Sequence, residues 1–124
     1  MNIIISNSSS IPIYEQIKTA IKQAIFSNEL KEEDVLPSVR SMANDLKISF
    51  LTVKRAYDEL EEEGYIKTVQ GKGSFVAPKN FELIKEEKLR EIQELIERIY
   101  DISKISNITE DEIKELFKII FNEN

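Results

Sequence analysis

Two helical patterns separated by three residues constrain this chain more than any other feature. Ser38 and Ser49 each stand where a helix N-cap belongs. Met42, Ala43 and Leu46 follow the first at helical spacing, and Val53, Ala56, Tyr57 and Leu60 follow the second. The spacing predicts a short helix over 39–46, a brief turn at Lys47-Ile48 with Ile48 facing inward, and a helix over 50–63 ended by Gly64. Leu36 belongs to the same inward set. Upstream, Ile13, Ile17, Ala20, Ile21, Ala24 and Ile25 predict a helix over 12–27 with Pro12 in its first turn. Residues 2–5, mostly apolar and β-branched, read as a short extended segment, and "NELKEEDVLPS" reads as a loop. Downstream, "YIKTV" and "SFVA" flank Gly71-Lys72-Gly73, a hairpin signal over 65–77 closed by Pro78.

Helix, helix, short turn, helix, hairpin is the element order of a winged helix-turn-helix, so the expected class is mainly α with a small β wing. The remainder differs in character. A long helical pattern runs from Leu83 to about Lys104 through Ile84, Leu89, Ile92, Leu95, Ile96, Ile99 and Tyr100. A last helix opens on a capping box of Thr109 and Glu112, with Ile108 and Ile113 at the staple positions. Its apolar face is Ile113, Leu116, Phe117, Ile120 and Phe121. The expected division is therefore a winged helix-turn-helix domain over 1–78 and a helical region over 79–124. The second part is too small to bury two apolar faces by itself. The tail can pack on its own head, or a second copy can bury these faces; the second reading marks Ile92, Leu95, Ile96, Ile99, Leu116, Phe117 and Ile120 as dimerisation residues.

The net charge of −6 argues against a polyanionic partner until its distribution is considered. Residues 1–80 carry ten basic and eleven acidic side chains, whereas residues 81–124 carry seven and twelve. Leu36–Tyr57 holds Arg40, Lys47, Lys54 and Arg55 against Asp45 alone, and Gly64–Lys79 holds Lys67, Lys72 and Lys79 with no acid. Charges farther apart than a Debye length, about 8 Å at physiological salt, act independently, so these two blocks can face a polyanion. The chain has no cysteine and no histidine, which removes disulfides, thiolate metal sites and the commonest general base. No apolar run approaches the roughly 20 residues that span a bilayer, and the start lacks the pattern of a signal peptide. A cytoplasmic, non-enzymatic protein with no cofactor and no membrane partner is expected.

In the third helix the early, outward face offers Phe50, Leu51, Thr52, Lys54 and Arg55, and the acids Asp58, Glu59, Glu61, Glu62 and Glu63 crowd the far end. A major groove admits one helix, whose N-terminal residues reach the base edges. An ordinary amphipathic helix with a solvated charged face has the same spacing, and Lys54–Asp58 and Arg55–Glu59 are i,i+4 pairs in either case. The hairpin tip, Gln70, Gly71 and Lys72, permits close backbone approach to phosphate, but it also serves a plain turn. It is no nucleotide loop, because a third glycine is missing and a strand follows where a helix is required. The acid runs Glu32-Glu33-Asp34 and Glu61–Glu63 read as solvated faces, because consecutive acids do not converge on one ion.

"IPIYEQI", "LPSVRSMANDLKIS", "TVKRAYDELEEEGYI" and "GKGSFV", in that order over residues 11–78, resemble the DNA-binding domain of the GntR family of bacterial transcription regulators. "PIYEQI", "RAYDELEEEG" and the short tail resemble its YtrA-type subfamily. The resemblance implies a homodimer on a palindromic double-stranded operator, with the third helix in the major groove, the wing at the adjacent groove and the tail as dimerisation element. It points to Arg40, Ser49, Thr52, Lys54, Gln70 and Gly71 as DNA-contacting positions. Phe50 departs from the family's commonest pattern, which has Arg there; a Phe ring can meet a thymine methyl or a sugar but cannot bond guanine. "NELKEED" replaces a glycine-rich turn, and Ser41 replaces the acid that would complete a capping box after Ser38. The reading is a DNA-binding regulator, most simply a repressor; the alternative is a winged-helix protein-interaction module without operator binding. A small-molecule effector stays open as a partner.

Overall fold

The computed structural model describes residues 1–123. Its helices start and stop where local chemistry dictates. α1 (Ile13–Phe26) begins one residue after Pro12, which stands at the N-cap position with ψ 146° instead of inside the first turn. α2 (Val39–Leu46) is capped by Ser38, whose Oγ accepts the Ser41 amide at 3.0 Å. The next residue, Lys47, takes the left-handed conformation, φ 56°, ψ 48°. That turn sends the Ile48 amide back to the Ala43 carbonyl and lets the chain re-enter helix within three residues. α3 (Phe50–Glu62) starts on the Ser49 hydroxyl, which accepts the Leu51 amide. It ends at Gly64, φ 84°, with Tyr65 N–H donating to Leu60 O and Gly64 N–H to Glu61 O, the paired bonds of a Schellman stop.

β1 (Ile66–Val69) and β2 (Gly73–Val76) form an antiparallel hairpin in the register Ile66↔Val76 to Val69↔Gly73. Lys72 N–H donates to Val69 O across the tip, and Gly71 has φ 81° at the third turn position, where a side chain is disfavoured. The sheet has an outer edge where the sequence predicts a loop. Glu33 and Leu36 donate to Val76 O and Ser74 O, Val76 donates to Asp34 O, and Val35 bridges Phe75. The run of acids there has little strand propensity; burial of Leu36 beneath the wing sets the pairing instead. Residues 2–5 show the expected extended alternation, with Ile3 and Ile5 against the core and Ile4 exposed, but they form no strand.

One core joins α1, α2, α3 and the wing: Ile17, Ile21, Ile25, Leu36, Met42, Ala43, Val53, Ala56, Tyr57, Leu60, Ile66 and Val76 are all buried. Full burial of a Val, Leu or Ile side chain contributes about 1.5–3 kcal/mol, so these contacts hold the three helices at fixed angles. Tyr57 donates from its hydroxyl to Pro37 O at 2.6 Å, which pins the start of α2 to the middle of α3. Burial pushes that phenol well above its ordinary value. At the other end of α1, Phe26, Tyr65 and Phe81 make an aromatic cluster, Tyr65 and Phe81 stacked at 5.9 Å.

The chain divides into two compact units, one up to Glu82 and one from Leu83 onward. The second holds most of α4 (Phe81–Ser106) and all of α5 (Glu110–Glu123). Asn107 (φ 55°) and an Ile108-to-Ser103 hydrogen bond stop α4. The Thr109–Glu112 capping box then starts α5, Glu112 N–H donating to Thr109 Oγ1 at 3.2 Å and Thr109 N–H to Glu112 Oε1 at 3.1 Å. In the described part of this unit Ser103 alone is buried; no residue of α5 is. Among the described residues no helix is long and apolar enough to cross a membrane.

Candidate nucleic-acid interface

α3 has two functional halves because its buried stripe, Val53, Ala56, Tyr57 and Leu60, leaves different side chains outside at each end. The first turn exposes Phe50 and Leu51, at 43% and 71%. Apolar surface of this size at a helix start is not explained by the core. Thr52 is half-buried beside them, and Ser49 is committed to its cap but keeps a hydroxyl proton to donate. The second residue of α2, Arg40, reaches this surface: its guanidinium carbon lies 5.6 Å from the centre of the Phe50 ring. Arg40, Phe50 and the start of α3 are thus brought together by the tight turn at Lys47.

The two basic residues of α3 differ in how they are held. Lys54 Nζ pairs with Asp58 at 2.7 Å, with both side chains more than half exposed. An exposed pair of this kind is worth about 0.2–1 kcal/mol, little enough for a phosphate to replace it. Arg55 is held twice. Its Nε donates to Glu59 at 3.0 Å, and its guanidinium stacks 3.7 Å over the Tyr14 ring of α1. The hydrogen bond to Glu59 is the main reason its pKa is raised. Arg55 therefore braces α1 against α3 as well as presenting charge.

The acids at the far end of α3 have partners that sequence reading missed. Lys18 of α1 is 7% exposed, and its Nζ lies 2.8 Å from both Glu59 and Glu63. Lys22 adds a 3.0 Å pair to Glu63. The hydrogen bonds that Lys18 donates to Glu59 and Glu63 hold its ammonium well above the ordinary pKa. Glu59 is held below the usual carboxylate value by its bonds from Lys18 and Arg55. For Glu63 burial opposes the charge, yet the bonds from Lys18 and Lys22 outweigh it and the net direction is also down. The i,i+4 pairs were legible in the sequence; the clamp on Lys18 needed the α1–α3 packing, and its one signal was a lysine inside the apolar stripe of α1. Glu61 makes a third use of acid, accepting the Thr68 amide and tying the wing to α3.

At the wing tip Gln70, Gly71, Lys72 and Gly73 are all exposed, and a Cβ added at either glycine would meet nothing within 4 Å. Among the described residues Lys47, Lys67 and Lys72 form no ion pair. No group of acids among them is arranged to hold a metal ion.

The model of bacterial regulatory proteins of the gntR family matches residues 13–76. The HTH-type transcriptional repressor YtrA of Bacillus subtilis is 33% identical over 112 residues, 90% of this chain and 86% of that protein. Among solved structures, a transcriptional antiterminator from Listeria monocytogenes superposes with a TM-score of 0.69 at 31% identity, covering 97% of this chain and 90% of that one. The DNA-binding domain of AraR in complex with an operator superposes with a TM-score of 0.55 at 25% identity, over 62% of this chain and 96% of that one.

Proposed function

The chain belongs to the gntR family of bacterial regulatory proteins, in its YtrA-type branch, and on that premise we propose that this transcription regulator is a repressor that binds a palindromic operator as a homodimer. α3 enters the major groove by its first two turns, and the wing tip approaches the adjacent groove. Arg40, Ser49, Phe50, Thr52, Lys54 and Arg55 meet the duplex from the helices, and Gln70, Gly71 and Lys72 meet it from the wing. Residues 1–78 form the DNA-binding domain and residues 79–124 pair two copies through Ile92, Leu95, Ile96, Ile99, Leu116, Phe117 and Ile120. A regulator that acts on operator DNA would work in the cytoplasm, and that localisation is part of the proposal.

The observation that carries this reading is the separation of charge along α3. Glu59 and Glu63 are turned onto Lys18 and Lys22 of α1, while among the described residues Arg40 and Lys72 have no acid partner and Lys54 has only an exposed one. A negative molecule thus keeps a cationic edge. The DNA-binding domain of AraR, which is similar to this chain, is solved in complex with an operator, and that supports duplex DNA as the partner.

Salt titration tests it. Binding of the full chain to a duplex recovered by it from a randomised library should weaken linearly in log K against log salt. Lys54→Ala and Lys72→Ala should each flatten the slope by about 0.9, the value of one phosphate contact. Slopes identical to wild type in both variants reject the assignment, and no binding at low salt favours the protein-interaction alternative.

A further inference from the structure

Resting on the operator-binding reading, we infer that Phe50 is a positioning residue for Arg40: the ring holds the guanidinium over the mouth of the groove, so that base preference comes from the pair and not from either side chain alone. Three observations lead there. First, the 5.6 Å separation is within the range at which a guanidinium is attracted to an aromatic face. Second, the Arg40 guanidinium has no hydrogen bond or ion pair among the described residues, whereas Arg55 combines its equivalent stack with a bond to Glu59. All five N–H donors of Arg40 stay available, and a guanidinium fork suits the O6 and N7 acceptors of guanine. Third, Phe50 is 43% exposed although it opens a helix whose other apolar residues, apart from Leu51, are buried. Its ring has one face for Arg40 and an edge left over for a thymine methyl.

The physical consequence is preorganisation. A free arginine loses rotamer freedom when it docks on a base, at about 0.5–1.5 kcal/mol for an immobilised side chain. A guanidinium already lying on a ring loses less. Closure of the duplex over the pair also removes water, which strengthens the attraction from that of an exposed site to that of a buried one. Arg40 and Phe50 should therefore be coupled in binding more strongly than in folding.

The test is a double-mutant cycle on the full chain, read as affinity for the duplex that wild type selects from a randomised library. Arg40→Ala, Phe50→Leu and the double variant should be non-additive by about 5- to 30-fold, the span expected from an exposed to a desolvated cation–π contact. Phe50→Tyr should keep wild-type affinity because the ring survives, while Phe50→Leu should lose it together with the guanine preference at the position that Arg40 reads. Far-UV circular dichroism verifies that each variant is folded; Phe50 contributes nothing to the buried core, so it should be. Additive effects, or a Phe50→Leu variant as tight and as selective as wild type, overturn the inference while leaving operator binding intact. A wild-type chain that retains no duplex overturns the reading beneath it as well.

Discussion

The unit up to Glu82 and the unit from Leu83 onward are built from the same material, amphipathic helices rich in isoleucine, leucine and glutamate, yet they end differently. In the first, Ile17, Ile21, Val53, Leu60 and Val76 are essentially sealed from water. In the second, Ile92, Leu95 and Ile96 are each close to half exposed, and Leu116 and Ile120 are both 58% exposed. The first unit has three helices and a hairpin to enclose a core. The second has two helices joined by a tight turn, with an open apolar groove of about 440 Å³ lined by Ile96, Ile99, Tyr100, Ile113 and Phe117. Apolar stripes at helical spacing are thus equal evidence for a core and for an interface; what distinguishes them is whether the same chain supplies the opposite wall.

The comparison yields predictions of decreasing size. Leu60→Ala in the first unit should lower unfolding free energy by about 2–5 kcal/mol at any protein concentration, as measured by urea denaturation. Ile96→Glu combined with Ile120→Glu should instead leave the first unit's unfolding unchanged and weaken self-association by more than about 100-fold, because unpaired charge would be buried between copies. Sedimentation at several concentrations reads this, and a double variant that still associates like wild type would show that another surface holds the copies together.

The charged clamp gives a smaller, pH-dependent effect. Glu59 and Glu63 lie below the ordinary carboxylate value of 4.5 in the folded chain, so their contribution is complete above 4.5 and is lost as pH falls through the depressed values. Lys18 lies above the ordinary 10.5, so its contribution is complete below 10.5 and is lost only as pH rises through the raised value. Stability should be flat across neutral pH and fall on the acid side. Lys18→Met should make that acid limb shallower; an unaltered limb would mean that the clamp contributes nothing.

The smallest effect concerns the turn between α2 and α3. Lys47 is left-handed without being glycine, at about 1–2 kcal/mol, and glycine would regain that less about 0.4–1 kcal/mol of unfolded-state freedom. Lys47→Gly should therefore stabilise the first unit by about 0.5–1 kcal/mol in thermal denaturation. A loss of stability would mean that the lysine side chain does more for the turn than its backbone costs.

Much of this was legible in residues. Ser38, Ser49, Gly64 and the Thr109–Glu112 box fixed helix ends to within a residue, because caps are local chemistry. The apolar stripes of α1 and α3 identified the core for the same reason. What stayed hidden depends on contacts distant in sequence: the pairing of residues 33–36 with β2, the burial of Lys18 between α1 and α3, the Arg55–Tyr14 stack, and the approach of Arg40 to Phe50. None has a periodicity. The grouping of candidate interface residues could be read from charge blocks, but how each cation is held could not.

On the proposed function, an exposed cationic edge on the first unit and an uncovered apolar face on the second serve one act, the binding of two copies to one duplex. Native mass spectrometry of the full chain with its library-selected duplex measures this directly. The expected species is a complex of two chains and one duplex that the Ile96→Glu, Ile120→Glu variant forms poorly. A wild-type complex of one chain per duplex, or none at all, would contradict it.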